Sequence, residues 1–551
     1  AVYRQPRMMP GAPEILFNAA PLASSYAAII ASHAVVAALI ARQRCGRGQR
    51  VEVPLFDAAH QIIGLFGLDV PMTPPRGFTL NPALMKRRPC ADGRYVDISP
   101  PLRGLDRFID YFVKPVDPDA PDLAHRADPG SFARLDALLD QVFSQYPTAA
   151  GLEREAQERA GAAAALCQTT QEWLHDRHAR ATKCAIPLDD PELGSGTQAG
   201  YAVQLSATPL SAAHPRRLPD SDRDAILAGL AAAHRTDPPQ PEPGPGPVLP
   251  LAGIRVIDTT QILAGPTAGK ILAEYGADVI KINDPRPEAN PMGTTGHDDV
   301  NRGKRSLLLD LTSDDGRTVL DQLLAGADVF HQNFTKGAAA RLRITEDDLR
   351  ARHPDIVYSS VSVHADGGFR SGYRGHEELG QAVSGMQVRL GGDGPPRRAG
   401  WAVNDYATGH LSALAILLGL YHRGRTGEAQ QVQAALSRTA TILQLPFMLD
   451  HPGRDWDEPS GDTRGWGPLD RLYEAADGWF YLAAVRPDDL ARLSEVAGLP
   501  GLPDVPASQL GDALSARFAE ENAAPLVERL TVAGIATHVL STVEDNMEDP
   551  V

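Results

Sequence analysis

The chain repeats itself. Arg425-Thr426-Gly427-Glu428-Ala429-Gln430-Gln431-Val432 resembles Arg44-Cys45-Gly46-Arg47-Gly48-Gln49-Arg50-Val51, an offset of 381 residues. Further on, Ala476-Asp477-Gly478-Trp479-Phe480-Tyr481-Leu482 resembles Ala91-Asp92-Gly93-Arg94-Tyr95-Val96-Asp97, at an offset of 385. Two offsets that differ by only a four-residue gap mark one structural unit used twice. The first copy lacks its front and the second its tail. The chain also opens in mid-pattern, so it is expected to be part of a longer polypeptide.

A length of 551 residues accommodates roughly three or four domains. The net charge of −16 argues against a nucleic-acid binder, although local cations can still gather at one anionic ligand. Cys45, Cys90, Cys167 and Cys184 have the spacing of neither a zinc site nor a small disulfide framework, so a reducing, cytoplasmic setting is expected. The apolar run from Ala27 to Ile40 is short for a membrane span and is interrupted by Ser32 and His33.

In the first copy, Ala23 to Arg42 reads as an alanine-rich helix, Arg50 to Leu55 alternates like a strand, and Phe56 to Leu68 reads as a helix. Asp92-Gly93 is a hairpin-type turn before the strand Arg94 to Ile98. Helices are expected over Leu105 to Phe112, Ser131 to Gln145 and Ala149 to Gly161, and a loop-rich stretch with short strands over Pro187 to Pro219. Residues 235–250 hold seven prolines and read as a linker. Beyond it the pattern alternates. Strands are expected at Ile254–Asp258, Asp278–Ile282, Ser306–Leu311, Asp328–Phe330 and Ile356–Val361, with helices at Pro266–Tyr275 and Asp314–Ala325. That alternation predicts an α/β fold, a doubly wound parallel sheet whose ligands bind beyond the carboxyl ends of its strands.

Asp405 opens a long, mostly small or aliphatic run that ends near Tyr421 and reads as a buried helix. A carboxylate at a helix start meets the free N–H groups of the first turn and the positive end of the dipole, so Asp405 is expected to be ionised at neutral pH. The ordinary role of such an Asp is an N-cap. At the first offset Asp405 falls on Ser24, which cannot act as a carboxylate nucleophile.

The second copy resembles the family III coenzyme A transferases, which include the formyl-CoA and carnitine CoA-transferases and the related α-methylacyl-CoA racemases. The resemblance rests on Leu263-Ala264-Gly265-Pro266, Gly276-Ala277-Asp278-Val279-Ile280-Lys281, Asn301-Arg302-Gly303-Lys304-Arg305-Ser306, Asn333-Phe334, Gln381-Ala382-Val383-Ser384-Gly385, and Asp405 before Gly409. The first copy matches only the later part of the unit, from Ser24 to about Pro219, ending in Gln204-Leu205-Ser206-Ala207-Thr208-Pro209. The resemblance implies a Rossmann-like large domain, a smaller α+β domain, and a return of the chain to the large domain, with family protomers interlocked as linked rings. Residues 1–240 would then be a partial, degenerate first unit, 246–450 a CoA-binding large domain, and 451–551 a truncated small domain. The fusion would pair the two units within one chain, alone or as a homodimer.

The resemblance also implies roles. Asp405 would attack the acyl carbonyl of a CoA thioester, giving a mixed anhydride and then an aspartyl-CoA thioester. Coenzyme A enters as substrate, a small carboxylic acid as its acceptor, and no metal, nucleic acid or membrane is involved. Asn301, Arg302, Lys304, Arg305 and Arg374 are the candidate partners of the CoA phosphates. Asn333 and Phe334 would flank the adenine, and Leu263 to Pro266 would bring backbone to the ligand. Glu377 matches an assisting carboxylate. His376 sits where racemases carry the His of a Gly-His-Asp pattern and many transferases a Tyr.

Some residues depart from the family pattern. Asp284, with Arg286 nearby, stands where several members have Arg. Leu263 replaces the Gln of oxalate-type enzymes, and the glycine-rich loop of the formyl-CoA enzyme is absent between Pro452 and Gly467. Arg486 replaces a Glu of the racemases. The leading reading is therefore CoA transfer from an acyl-CoA to a carboxylic acid other than oxalate. The alternatives are α-proton transfer in a racemase, supported by His376, and transfer coupled to a lyase step, as in the tandem-fused dimethylsulfoniopropionate CoA-transferase/lyase. A non-catalytic acyl-CoA-binding protein is disfavoured by Asp405.

Overall fold

The computed structural model describes residues 17–64, 84, 86–99, 105–124, 128–211, 215–232, 249–286, 297–400, 402–456, 464–542 and 545. Most of the proline-rich linker, Trp401, residues 65–68 of the expected second helix and part of the 452–467 segment lie outside them. The chain forms two compact units: Ala23–Met386 with Ala402–Arg454, and Ala1–Leu22 with Gln387–Trp401 and Asp455–Val551.

The larger unit is built on a seven-stranded sheet. Its spatial order is Gln204–Leu205, Gln431–Ala435, Val357–Ser362, Val329–Gln332, Arg255–Asp258, Asp278–Asn283 and Arg305–Leu308. The last six are parallel. From Arg255–Asp258 the chain winds outward to one edge, then returns to Val329–Gln332 and winds to the other. The order thus reverses between these two central strands, and a crevice opens outside their carboxyl ends. Their interiors are apolar on both faces, as a sheet covered on both sides requires: Val256, Ile257, Val329, Phe330 and Val357 are buried.

The short edge strand Gln204–Leu205 comes from the first copy and pairs antiparallel with Gln431–Ala435, Leu205 opposite Val432. The first copy also carries its own three-stranded sheet, Lys86–Pro89, Tyr95–Ser99 and Ala163–Leu166, over a core that includes Phe108, Phe112, Leu139 and Phe143. The smaller unit contains the corresponding sheet of the second copy, Gly465–Gly467, Asp470–Glu474, Trp479–Ala483 and Ala536–Val539, over Phe480, Leu493, Leu514 and Phe518.

The repeat is visible in helix ends. Leu22–Cys45 and Val403–Thr426 are both 24 residues long and begin 381 residues apart. Leu55–Ile63 likewise corresponds to Leu436–Leu443. The strand expected over Arg50 to Leu55 does not form. Residues 51–54 form no strand, whereas their counterparts lie in Gln431–Ala435, between two other strands. A strand needs neighbours to satisfy its backbone, and among the described residues the first copy has no parallel sheet of its own to supply them. Among the described residues one helix, Leu22–Cys45, is long and apolar enough to cross a membrane by length and composition. In the fold, its Tyr26 and His33 bond to the Val403–Thr426 helix.

Candidate active site

The helix Val403–Thr426 is buried along most of its length, and Asp405 stands in its first turn. Gly409, one turn on, lies against the helix Ala264–Glu274; a Cβ there would come within 2.5 Å of Thr267 and 2.8 Å of the Ala264 carbonyl. Only a glycine lets these two helices meet at the end where Asp405 sits.

Asp405 does not cap its own helix. The residue at the N-cap is Ala402, which has no capping side chain. The free amides are instead taken by Glu377, 28 residues upstream. Its Oε1 accepts the Asn404 N–H at 3.0 Å and Gln381 Nε2 at 2.5 Å, and its Oε2 accepts the Asp405 N–H. The carboxyl of Asp405 is thereby left for other work. Burial raises it, and the neighbouring Glu378 charge raises it further, to about 7. Glu377 is also pushed up, by burial and then by Asp405. Both carboxyls are thus pushed toward their protonated forms, chiefly by burial. The expectation of a fully ionised Asp405 does not hold, because desolvation outweighs the helix terminus here.

Asp405 faces a cavity of about 710 Å³, whose wall also includes Leu263, Asn333, Tyr358, Arg374 and His376. The cavity lies outside the carboxyl ends of the two central strands, on the loops 261–264 and 332–335. Its size and mixed lining suit a bound organic ligand. Ala163 of the first copy contributes to the wall as well.

The structure divides the residues singled out from sequence. Leu263, Ala264, Asn333, Phe334, Arg374, His376 and Asp405 line the cavity. Asn333 bonds the backbone of Gln261 in both directions, at 2.9 Å each, and so locks the two loops together. Arg374 is exposed and anchored by one guanidinium N–H to the Gly161 carbonyl at 2.9 Å. His376 is exposed and precedes the helix Glu377–Val383. Gly265 and Pro266 are buried just behind the wall. A Cβ on Gly265 would meet Thr260 at 2.4 Å, so packing rather than ligand approach requires glycine there.

Asn301, Arg302, Lys304 and Arg305 are not on the cavity wall. The Lys304 side chain is 1% exposed and its ammonium bonds Asp258 at 2.8 Å, the Pro266 carbonyl at 2.7 Å and Asn301 Oδ1 at 3.2 Å. Asp258 in turn holds the Thr260 N–H at 2.9 Å and hydroxyl at 2.5 Å, while Lys281 bonds the Thr260 carbonyl. Lys304 therefore anchors the 259–266 loop from behind. Arg305 pairs with Asp278, and Arg302 with Asp299. Sequence reading missed Lys336, which lines the cavity and pairs with Asp366 at 2.7 Å. It follows Asn333-Phe334 by two residues, and that adjacency was the available signal. Gln381 was noted as motif but given no role; its four-residue spacing from Glu377 on one helix is what brings them together.

Ser24 is exposed, is the third residue of its helix as Asp405 is of its own, and is absent from the cavity wall. Ser24→Ala is expected to change turnover by no more than a few-fold. A loss like that of Asp405→Ala in the same assay would show that the first copy carries chemistry.

A doubly wound sheet, a cavity at its switch point and a buried carboxyl pair at a helix start give this chain the architecture of an α/β enzyme. The chain belongs to CoA-transferase family III, whose sequence pattern matches residues 10–224 and again 251–551. It is similar to the CoA-transferase/lyase DddD of Marinomonas sp. (strain MWYL1), 25% identical over 94% of this chain and 68% of that protein. It is also similar to the succinyl-CoA:mesaconate CoA-transferase of Haloarcula hispanica, 34% identical over 46% of this chain and 68% of the relative. The α-methylacyl-CoA racemase of Mus musculus is 31% identical over 45% of this chain and 65% of the relative. The double match to the family pattern agrees with a tandem-fused family member.

Proposed function

We propose that this enzyme moves CoA from an acyl-CoA thioester to a carboxylic acid, with Asp405 as nucleophile. The observation that carries the reading is the Asp405 carboxyl, released from capping by Glu377 and facing the cavity. An oxygen of ionised Asp405 attacks the thioester carbonyl; the C–S bond breaks and the CoA thiolate leaves, giving an aspartyl anhydride. The thiolate then attacks the aspartyl carbonyl and expels the acyl group as its carboxylate. The incoming acid attacks the resulting aspartyl-CoA thioester, breaking its C–S bond and giving a second anhydride, and the released thiolate finally attacks the acceptor's acyl carbon in that anhydride, which expels Asp405 as its carboxylate. Each step exchanges one leaving group for one nucleophile, so no outside oxidant or reductant is needed. Glu377 holds the first turn in place throughout. Lys336 and Arg374 are the cavity cations that face an anionic substrate.

His376 on the same wall keeps α-proton transfer as a second reading, since a racemase needs two groups to exchange a proton. Arg486, in place of the racemase Glu, bonds Asp489 and the Gly534 carbonyl within the smaller unit, which favours transfer. The similarity to the CoA-transferase/lyase along nearly the whole chain supports a lyase step following transfer. Incubation with a 2-methylacyl-CoA in deuterated water, with and without acceptor acids, tests the order of these readings. Acceptor-dependent CoA movement without α-exchange is expected. Rapid acceptor-independent deuterium incorporation that requires both His376 and Asp405 would establish the racemase instead.

A further inference from the structure

Tyr26 belongs to the silent first copy, on the helix Leu22–Cys45, and is fully buried. At the repeat offset it occupies the place of Ala407, so a phenol stands where the active copy has a methyl group. Its hydroxyl donates to the carbonyl of Val403. The Ala407 amide, Glu377, Tyr406 and Asp405 are the polar and charged neighbours of the same phenol. Val403 and Ala407 are four apart, so their carbonyl and amide bound the second hydrogen-bonded ring of the helix, next to the one closed by the Ala402 carbonyl and the Tyr406 N–H at 3.1 Å. Asp405 lies in the middle of that ring. Glu377 holds its amides from one segment, and Tyr26 holds its carbonyl from another 377 residues away.

A second contact from the first copy reaches the next residue. Gly64 ends the helix Leu55–Ile63 with φ +53, and a Cβ on it would come within 2.1 Å of the Tyr406 ring. The space left by glycine lets that ring lie there, and its hydroxyl reaches Asp299 at 2.7 Å. Asp299 is fixed in turn by the buried Lys270 at 3.0 Å. The turn bearing Asp405 is therefore held by the copy that lacks the carboxylate.

We propose that Tyr26 is a positioning residue for the reaction at Asp405, so that the first copy serves the active centre of the second within one chain. The proposal rests on Asp405 being the nucleophile. Tyr26→Phe removes one oxygen and keeps the ring. Its kcat is expected to fall about 10- to 100-fold, the range for a small misplacement of a reacting group. KM for the CoA thioester should stay within two-fold, and the midpoint of the acid limb of kcat should move from its wild-type position. Gly64→Ala should lower kcat in the same way, through Tyr406. A Tyr26→Phe protein that fails to fold, or that keeps wild-type kcat and pH midpoint, overturns the proposal. Asp405→Ala run alongside separates the two claims. An inactive Asp405→Ala with an unaffected Tyr26→Phe removes only Tyr26's role, whereas an active Asp405→Ala removes the nucleophile and the positioning role with it.

Discussion

Asp405→Ala should consume no CoA thioester while folding like the wild type. If Asp405 carries the acyl group and then CoA, its loss removes the covalent route altogether, and turnover should fall by about 10⁴-fold or more, as when other nucleophiles are deleted. Borohydride or hydroxylamine added during wild-type turnover should modify Asp405 and nothing else in the cavity; mass spectrometry of the digested protein reads this directly. Retained turnover in the Ala variant would remove the mechanism. The same carboxyl sets a pH dependence. Attack requires the ionised form, and burial places its midpoint near pH 7, so kcat should fall as pH drops through about 7. Stability runs the other way. A carboxyl whose pKa is raised on folding binds its proton more tightly in the folded state. Between the unfolded value near 4 and the folded value near 7, stability therefore declines as pH rises. Above pH 7 this cost is on the order of 4 kcal/mol. Asp405→Asn, neutral and of the same shape, should melt higher than wild type at pH 8 and no higher at pH 4. Equal melting at pH 8 would mean that Asp405 is not buried as described.

Lys304→Met should destabilise the protein by about 3 kcal/mol, the low end of the cost of breaking a buried ion pair by removing one partner. The loss leaves Asp258, the Pro266 carbonyl and Asn301 without their shared donor, although Lys281 still faces Asp258. Arg302→Met, two residues away in the same basic run, should stay within about 0.5 kcal/mol, because its side chain is 59% exposed. Urea denaturation of the two variants side by side makes the comparison. Equal stabilities, with a large rise in KM for Lys304→Met, would restore Lys304 as a phosphate ligand.

This pair of residues illustrates what a run of charges conceals. Arg302, Lys304 and Arg305 look alike in sequence, yet one is buried on an aspartate 46 residues away and the two arginines keep exposed side chains. The sheet's alternation, by contrast, was legible because each strand and helix carries its pattern locally. The helix at Asp405 was legible for the same reason, and its ends proved longer than expected at both sides.

Sequence by itself determined the repeat and its register, the α/β class, the family, and Asp405 as the candidate nucleophile. These depend on residue order and on patterns within a few turns, which one chain displays in full. Tertiary structure decided that Glu377 caps the helix, that Asp405 titrates near 7 and that Lys304 is a post behind the loop. It also decided that Tyr26 touches the first turn and that residues 51–54 find no ladder. Burial and the identity of a hydrogen-bond partner depend on atoms contributed by segments 28, 46 and 377 residues away, and only the folded chain brings those together.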